Sequence, residues 1–260
     1  MSKGVTMKAY IAFTKKEWME SIRTYRFFIL LAVFFILGIM NPITAKITPD
    51  ILANFAMEGM TITIAEPTAM DSWLQFYKNV PQMGMIVIVI MFSGLMTGEC
   101  GKGTFVNMVT KGLKRSTIIL SKFTMSVCLW TISLALCFTV SAYYTAYYWD
   151  INGMGQILQS VACLWLFGIF LIAILLLMGS IVKSNYACLL LVGCVVVLLL
   201  LINMLPVLQE YNPIRLASSN LSLINGEMVI ADFGFSIAIT IILTILSLVG
   251  AIMVFNKKKL

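Results

Sequence analysis

Gly101-Lys102 falls where a phosphate-cradling loop would end, the one place in this chain where spacing invites nucleotide chemistry. The P-loop pattern G-x-x-x-x-G-K-[ST] fails on both sides of it. Met96 stands where the first Gly belongs, and Gly103 replaces the Ser or Thr that would reach Mg²⁺. The preceding residues are an apolar run, not a soluble strand, so ATP is not bound through this motif. Other chemistries fare no better. The chain has no His, which removes the commonest general base and metal ligand. Its six cysteines, at 100, 128, 137, 163, 188 and 194, form no C-x-x-C pair, and five lie in apolar runs where Cys acts as a small apolar residue. No nucleophile has a base at useful spacing, and no carboxylates pair on an inner face. What remains is charge set around a short periodic stretch.

That stretch is Thr97–Phe123, the longest basic interruption between two apolar runs. Within it Phe105, Met108, Val109 and Leu113 follow i, i+3, i+4, i+8 spacing, with Asn107, Thr110 and Lys111 on the other side. The spacing predicts a short amphipathic helix bounded by Gly103 and Gly112, with an apolar face for docking. Glu99 precedes it, where a carboxylate favours the positive helix end. By themselves Glu99 and Arg115 read first as solvated loop charges stabilising helix ends.

Composition says what must position this stretch. Of 260 residues, 60% are hydrophobic and 11% charged, whereas a soluble domain carries about a quarter charged residues. Runs of about 20 nearly uncharged residues recur, each long enough for a ~30 Å hydrocarbon core. We read one all-α membrane domain over 1–260, with spans at about 27–45, 80–96, 117–146, 156–182, 186–205 and 233–255. The first run starts too far in for a secretory signal and has no small-residue cleavage site, so it is expected to be retained. Asn41-Pro42 is expected to loosen its far end. Thr48-Pro49-Asp50 reads as the start of a new helix carrying Ile51, Leu52 and Phe55, and Thr68 with Asp71 as another before Trp73, Phe76 and Tyr77. These aromatics suit a membrane–water boundary, as does the run Tyr143–Trp149. Residues 206–232 read as short helices touching the outer surface or dipping into it. Gly168, Gly179 and Ser180, with Gly193, suit close helix packing.

The leader, residues 7–25, places Met7, Ile11, Trp18, Ile22 and Tyr25 on one arc, with Lys16, Glu20 and Arg23 opposite. An amphipathic helix lying in the membrane interface is expected, its basic residues, through Arg26, facing anionic head groups. Charge bookkeeping tests the topology. Fifteen of the eighteen basic residues fall on the side of the termini, and only Lys46, Lys78 and Arg215 lie opposite. Eight of eleven acids lie on that opposite side, leaving Glu17, Glu20 and Glu99. Positive charge marks the cytoplasmic side, so both termini and Thr97–Phe123 are expected there. The net charge of +7 is membrane patterning and gives no reason to invoke nucleic acid.

Gly98-Glu99, Gly103-Thr104, the amphipathic turn, Arg115 and the run Ser116–Phe123 resemble the "GE…GT…R…iilgKf" segment of type 2 ATP-binding-cassette (ABC) exporter permeases. The leader ending Arg23-Thr24-Tyr25-Arg26-Phe27 and the run Glu66-Pro67-Thr68 through Tyr77 are also similar to theirs. One departure is Gly112-Leu113-Lys114-Arg115, where many members carry Pro before the third span. The resemblance implies a six-helix half-transporter in a bacterial cytoplasmic membrane. It implies pairing with a second permease chain and with cytoplasmic ATPase subunits that bind ATP and Mg²⁺, so this chain holds no cofactor or metal and is not itself an enzyme. It places the coupling helix between spans two and three (Glu99, Gly103, Thr104, Phe105, Met108, Val109, Lys111 and Arg115 in or beside it), the leader at the inner surface, and short outer helices between spans five and six. An ion-coupled secondary transporter and a non-transporting scaffold are the alternatives. The first is weakened because no ionisable residue falls mid-span.

Overall fold

The computed structural model describes residues 3–54, 66–101, 104–110, 112–150 and 156–258. These residues are helical throughout their ordered elements, with no strand among them. A leader helix α1 (Lys3–Arg23) turns at Tyr25, which adopts left-handed φ 60°, into α2 (Arg26–Asn54). Then come α3 (Ala69–Asn79), α4 (Met85–Gly101), the short α5 (Thr104–Thr110) and α6 (Arg115–Tyr148). The second half holds α7 (Ile157–Ile181), α8 (Asn185–Asn203), three short outer helices α9 (Pro206–Gln209), α10 (Arg215–Ser218) and α11 (Asn220–Ile224), and α12 (Gly234–Lys257). Six described segments are long and apolar enough to cross a membrane: Arg26–Ile51, Ala69–Glu99, Arg115–Tyr148, Ile157–Ile181, Asn185–Asn203 and Ile230–Lys257. The six-span, all-α architecture expected from the sequence is the one observed.

The bundle is centred on α7, which packs along α12 and against α4, while α2 lies along α6. Of the most apolar stretch of α7, 61% is buried, against 11% for α8, so the fifth span rides on the outside. Glycine sets the closest approach. A Cβ on Gly168 would sit 2.4 Å from the Trp130 ring, which stacks edge-on to Phe34 and donates from Nε1 to the Trp165 carbonyl at 3.0 Å. Gly193 has open space around it and has no such packing role.

Prolines shaped the first two spans differently from what the sequence suggests. Span one does not end near Ala45: α2 continues through Pro42 and Pro49 to Asn54. Pro42 has no N–H, so the Gly38 carbonyl loses its helical donor. Ser141 Oγ of α6 donates to that carbonyl at 2.9 Å instead. Asn41 is fully buried; its Nδ2 donates to Ser141 Oγ (3.3 Å), and its Oδ1 accepts from Asn79 Nδ2 (2.9 Å). Asn41-Pro42 therefore locks span one to spans two and three and does not loosen it. Thr48 is no N-cap either; its hydroxyl donates back to the Thr44 carbonyl within α2. Ile51 lies on this same helix, and Phe55 and the side chain of Leu52 fall outside the described residues.

Span two likewise starts earlier than expected. Thr68 and Asp71 do form a helix start, with the Thr68 N–H donating to Asp71 Oδ2 at 2.8 Å. The helix then runs on through a wide π turn at Val80–Gly84, where the Met85 N–H reaches back to the Val80 carbonyl. Pro81 sits in that turn, and the wider turn relieves the clash its ring would make with the preceding turn. Trp73, Phe76 and Tyr77 consequently face the protein and not lipid or water. They are 2%, 0% and 6% exposed in the core. Tyr143 and Tyr147 are exposed, as expected of a belt, and Lys46 Nζ lies 3.9 Å above the Tyr148 ring. Residues 206–232 fold back onto the bundle. Arg215 is buried, donating to the Asp232 carbonyl at 3.0 Å over the Phe233 ring, and Ser160 of α7 donates to the Asn220 carbonyl at 3.1 Å.

These contacts separate the glycines. Gly168→Ala is expected to lower stability by about 1–3 kcal/mol through overpacking against Trp130, read as a lower melting midpoint in detergent. Gly193→Ala should leave the midpoint unchanged or slightly raised, since Ala favours a helix by up to about 1 kcal/mol.

Candidate functional site

At the end of the bundle that carries both chain ends, five charged side chains converge from three helices. The leader supplies Lys16, Glu17 and Glu20, the end of span two supplies Glu99, and the start of span three supplies Lys122. Residues 13, 17 and 21 share one helical face, and this face of α1 docks on α6. Phe13, Glu17 and Ser21 are buried there; Tyr10 Oη lies 2.6 Å from Thr124 Oγ1, and Ser121 Oγ donates to the Tyr10 carbonyl.

Lys122 is 1% exposed, and Glu17, opposite it, is 2% exposed. Its Nζ lies 2.8 Å from Glu17 Oε2 and 3.1 Å from Glu99 Oε1. Lys16 Nζ closes the cluster at 3.0 Å from Glu17, 2.5 Å from Glu20 and 2.9 Å from Glu99. The three carboxylates lie close enough to cage a cation, and the Lys16 ammonium occupies that place. Burial works against the charge on Lys16, but its hydrogen bonds to Glu20 and Glu99 and the field of Glu17 outweigh this and raise its pKa. Burial likewise pushes Glu20 up, but the Lys16 ammonium more than offsets it and holds the carboxyl below its ordinary 4.5.

The short α5 hangs directly below this cluster. Phe105 is fully buried, its ring 5.0 Å from that of Phe255 at the end of α12 and 5.8 Å from Lys122 Nζ. It belongs to a second apolar cluster with Phe13, Met96, Ile118, Ile119 and Leu176, and Met108, Val109 and Leu113 pack on its edge. The apolar face of α5 thus packs in part on its own chain: Phe105 is enclosed, while Met108, Val109 and Leu113 stay half-exposed. Thr104 opens α5 half-buried, and Gly112 closes it at φ +86°. The N–H of Gly112 bonds to the Val109 carbonyl and that of Leu113 to the Met108 carbonyl, the pairing of a Schellman stop. Gly at 112 thus has its own structural reason. Gly103 and Lys111 lie outside the described residues.

Arg115 is not a loop charge either. It donates to the carbonyls of Phe255, Asn256 (3.0 Å) and Lys258 (2.8 Å), so it caps the negative end of α12. Lys258 in turn donates to the Ser180 (3.0 Å) and Val182 (3.3 Å) carbonyls at the end of α7. Thr97 and Asn185 are hydrogen-bonded across the same end, joining α4 to α8.

For the leader, Ile11 and Ile22 are exposed, Trp18 packs on Phe27 with ring centroids 5.8 Å apart, Arg23 is exposed and Arg26 half-buried. Ile11, Ile22 and exposed Met7 lie about a third of a turn away from the buried Phe13–Glu17–Ser21 face. The helix thus has one apolar strip facing away from the chain and one mixed strip facing it. Sequence reasoning missed Lys16, Glu17, Glu20 and Lys122 as a unit. The available signal was scarcity: three acids stand among fifteen bases on that side, and Lys122 lies inside a predicted span.

The arrangement has no group set up for covalent or proton-transfer chemistry among the described residues. It is an electrostatic clamp joining α1, α4 and α6, with α5 and α12 held beside it by the packing of Phe105 on Phe255. A family model described as an ABC-2 family transporter protein matches residues 11–260. The chain is also similar to an uncharacterized transmembrane protein, YxlG, of Bacillus subtilis (strain 168), with 21% identity over 180 residues covering 68% of this chain and 70% of that one.

Two measurements test the clamp. Lys122→Met strands buried carboxylates, and breaking a buried pair this way costs about 3–5 kcal/mol; the melting midpoint should fall sharply. Adding Glu17→Met should recover most of the loss, because Lys16 still neutralises Glu20 and Glu99. The second concerns pH. The depressed Glu20 contributes stability present above pH 4.5 and lost as pH falls through its lowered value; the raised Lys16 contributes fully below pH 10.5 and loses it only beyond. Hydrogen exchange of residues 7–23, corrected for intrinsic rate, should stay level from about pH 5.5 to 9 and accelerate on acidification below about pH 4.

Proposed function

From the premise that this chain belongs to the ABC-2 transporter family, we propose that it is a permease subunit that couples ATP hydrolysis by a separate ATPase to export of an amphipathic substrate. Peptides, drugs and lipids are the substrate classes that its apolar spans suit. The ATPase holds the ATP and Mg²⁺; this chain contributes no catalytic residue. Fifteen basic residues on the side of the termini against three opposite support a cytoplasmic-membrane topology with both termini inside. A second permease chain, identical or different, completes the translocation path, and the outward apolar surface of α8 offers it room to pair.

The observation that carries the reading is the bracing of α5. A seven-residue helix cannot hold its own shape in water, yet this one is anchored through Phe105, whose ring lies 5.0 Å from that of Phe255 and 5.8 Å from the Lys122 ammonium. Displacement of α5 by a nucleotide-driven partner therefore moves the inner ends of spans two, three and six with the leader. That is what a coupling helix must do. Among the described residues at this end, exposed Gly112 and Lys114 are offered to the ATPase.

Co-purification with a cytoplasmic ABC ATPase from the same cells, followed by ATP turnover and vesicle transport, tests the proposal. Lys114→Glu should weaken capture of the ATPase at least several-fold with the permease melting midpoint unchanged. Phe105→Ala should lower the midpoint, by about 3–5 kcal/mol of stability, and uncouple turnover from transport. Normal assembly and transport in both variants would sink the assignment. Transport driven by an ion gradient without ATP would replace it.

A further inference from the structure

A lateral groove of about 710 Å³ opens between spans two and five, within the roughly 300–1,000 Å³ typical of small-ligand sites. Met85, Ile86 and Val89 form one wall, Val192 and Val196 the other, and Phe167 and Leu171 of α7 the floor. All polar chemistry other than Tyr77 is gathered at one end, where Lys78, Gln82 and Ser218 form a rim. No carboxylate lines it. Lys78 and Gln82 are exposed, and Lys78 has no carboxylate partner among the described residues.

The rim's height follows from helix geometry. From Glu99, at the clamp, to Lys78 is a run of helix about 30 Å long at 1.5 Å per residue, close to the hydrocarbon thickness of a bilayer. Lys78 therefore stands at the membrane surface opposite the termini. The apolar walls run from it toward the mid-plane. An ammonium at head-group level above an open apolar slot is complementary to a molecule with a negative head and a hydrocarbon tail. The π turn at Val80–Gly84 sits beside the rim, with Pro81 among the lining residues.

We propose that this groove binds one anionic phospholipid from the leaflet opposite the termini, its phosphate at Lys78 and an acyl chain along Val89, Val192 and Val196. Binding needs neither ATP nor a partner ATPase, so the site stands or falls separately from the coupling reading.

The test uses the full chain in nanodiscs with two photo-crosslinking probes that carry the same diazirine acyl chain, one on phosphatidylglycerol and one on phosphatidylcholine. Labelled peptides are located by mass spectrometry. Labelling at spans two and five is expected to favour the phosphatidylglycerol probe at least fivefold. Lys78→Glu should bring the two probes to parity, and Lys78→Arg should keep the preference. Gly193→Trp, which projects into open space in the groove, should cut labelling by both probes more than fivefold with an unchanged melting midpoint. Equal labelling by both probes in the unmodified chain, or a preference that survives Lys78→Glu, would mean annular lipid only and overturn the proposal. So would separation of paired chains by Gly193→Trp, which would make the groove a seam between permeases.

Discussion

Placing an ammonium where water cannot reach it forces every neighbouring element into line. Lys122 is almost wholly enclosed, and a buried charge of this kind survives only when its partners are brought to it. Glu17 must come from the leader and Glu99 from the end of span two, and Lys16 must follow to balance the third carboxylate. The leader, spans two and three, and the short helix between them are therefore positioned by one electrostatic requirement. Apolar packing of Phe105 against Phe255 extends the same constraint to the last span. Stability alone does not demand such an arrangement, since apolar side chains of similar size would often serve as well. The cluster specifies which helix end meets which.

Much of the architecture was legible because a bilayer imposes a coarse rule: about twenty apolar residues per span, positive charge on one side. Ten of the twelve span boundaries fell near their observed places for that reason, as did the capping pair Thr68 and Asp71. The start of span two and the end of span one were misread because proline was treated as a stop. A proline ends a helix only when the carbonyl it orphans has no other donor. Ser141, a hundred residues away in sequence, supplies one for Gly38, and no local pattern could reveal it. The site was half legible. Periodicity located α5 and its glycine stop, but period alone cannot say whether an apolar face meets a partner protein or the rest of its own chain. Phe105 met its own chain.

Polar groups inside this bundle follow a consistent logic. Ser72 with Thr145, Asn41 with Asn79 and Ser141, and Ser160 with the Asn220 carbonyl all join different elements. Between helices surrounded by lipid the hydrophobic effect gives little preference for one neighbour over another, and small polar contacts with close glycine crossings supply that preference. Two cationic caps do the same at the inner end, Arg115 for α12 and Lys258 for α7.

The Arg115 cap has a temporal side. Its acceptor carbonyls lie about 140 residues later in the chain, and the lysine that receives Glu17 comes 105 residues after it. At roughly 5–20 residues made per second, the guanidinium waits on the order of ten seconds for its partners. Until then both charges need water, so the leader and the foot of span three must remain at the membrane surface while later spans insert. The final packing of this end is thus postponed until α12 is made and delivers the carbonyls that let this region leave solvent.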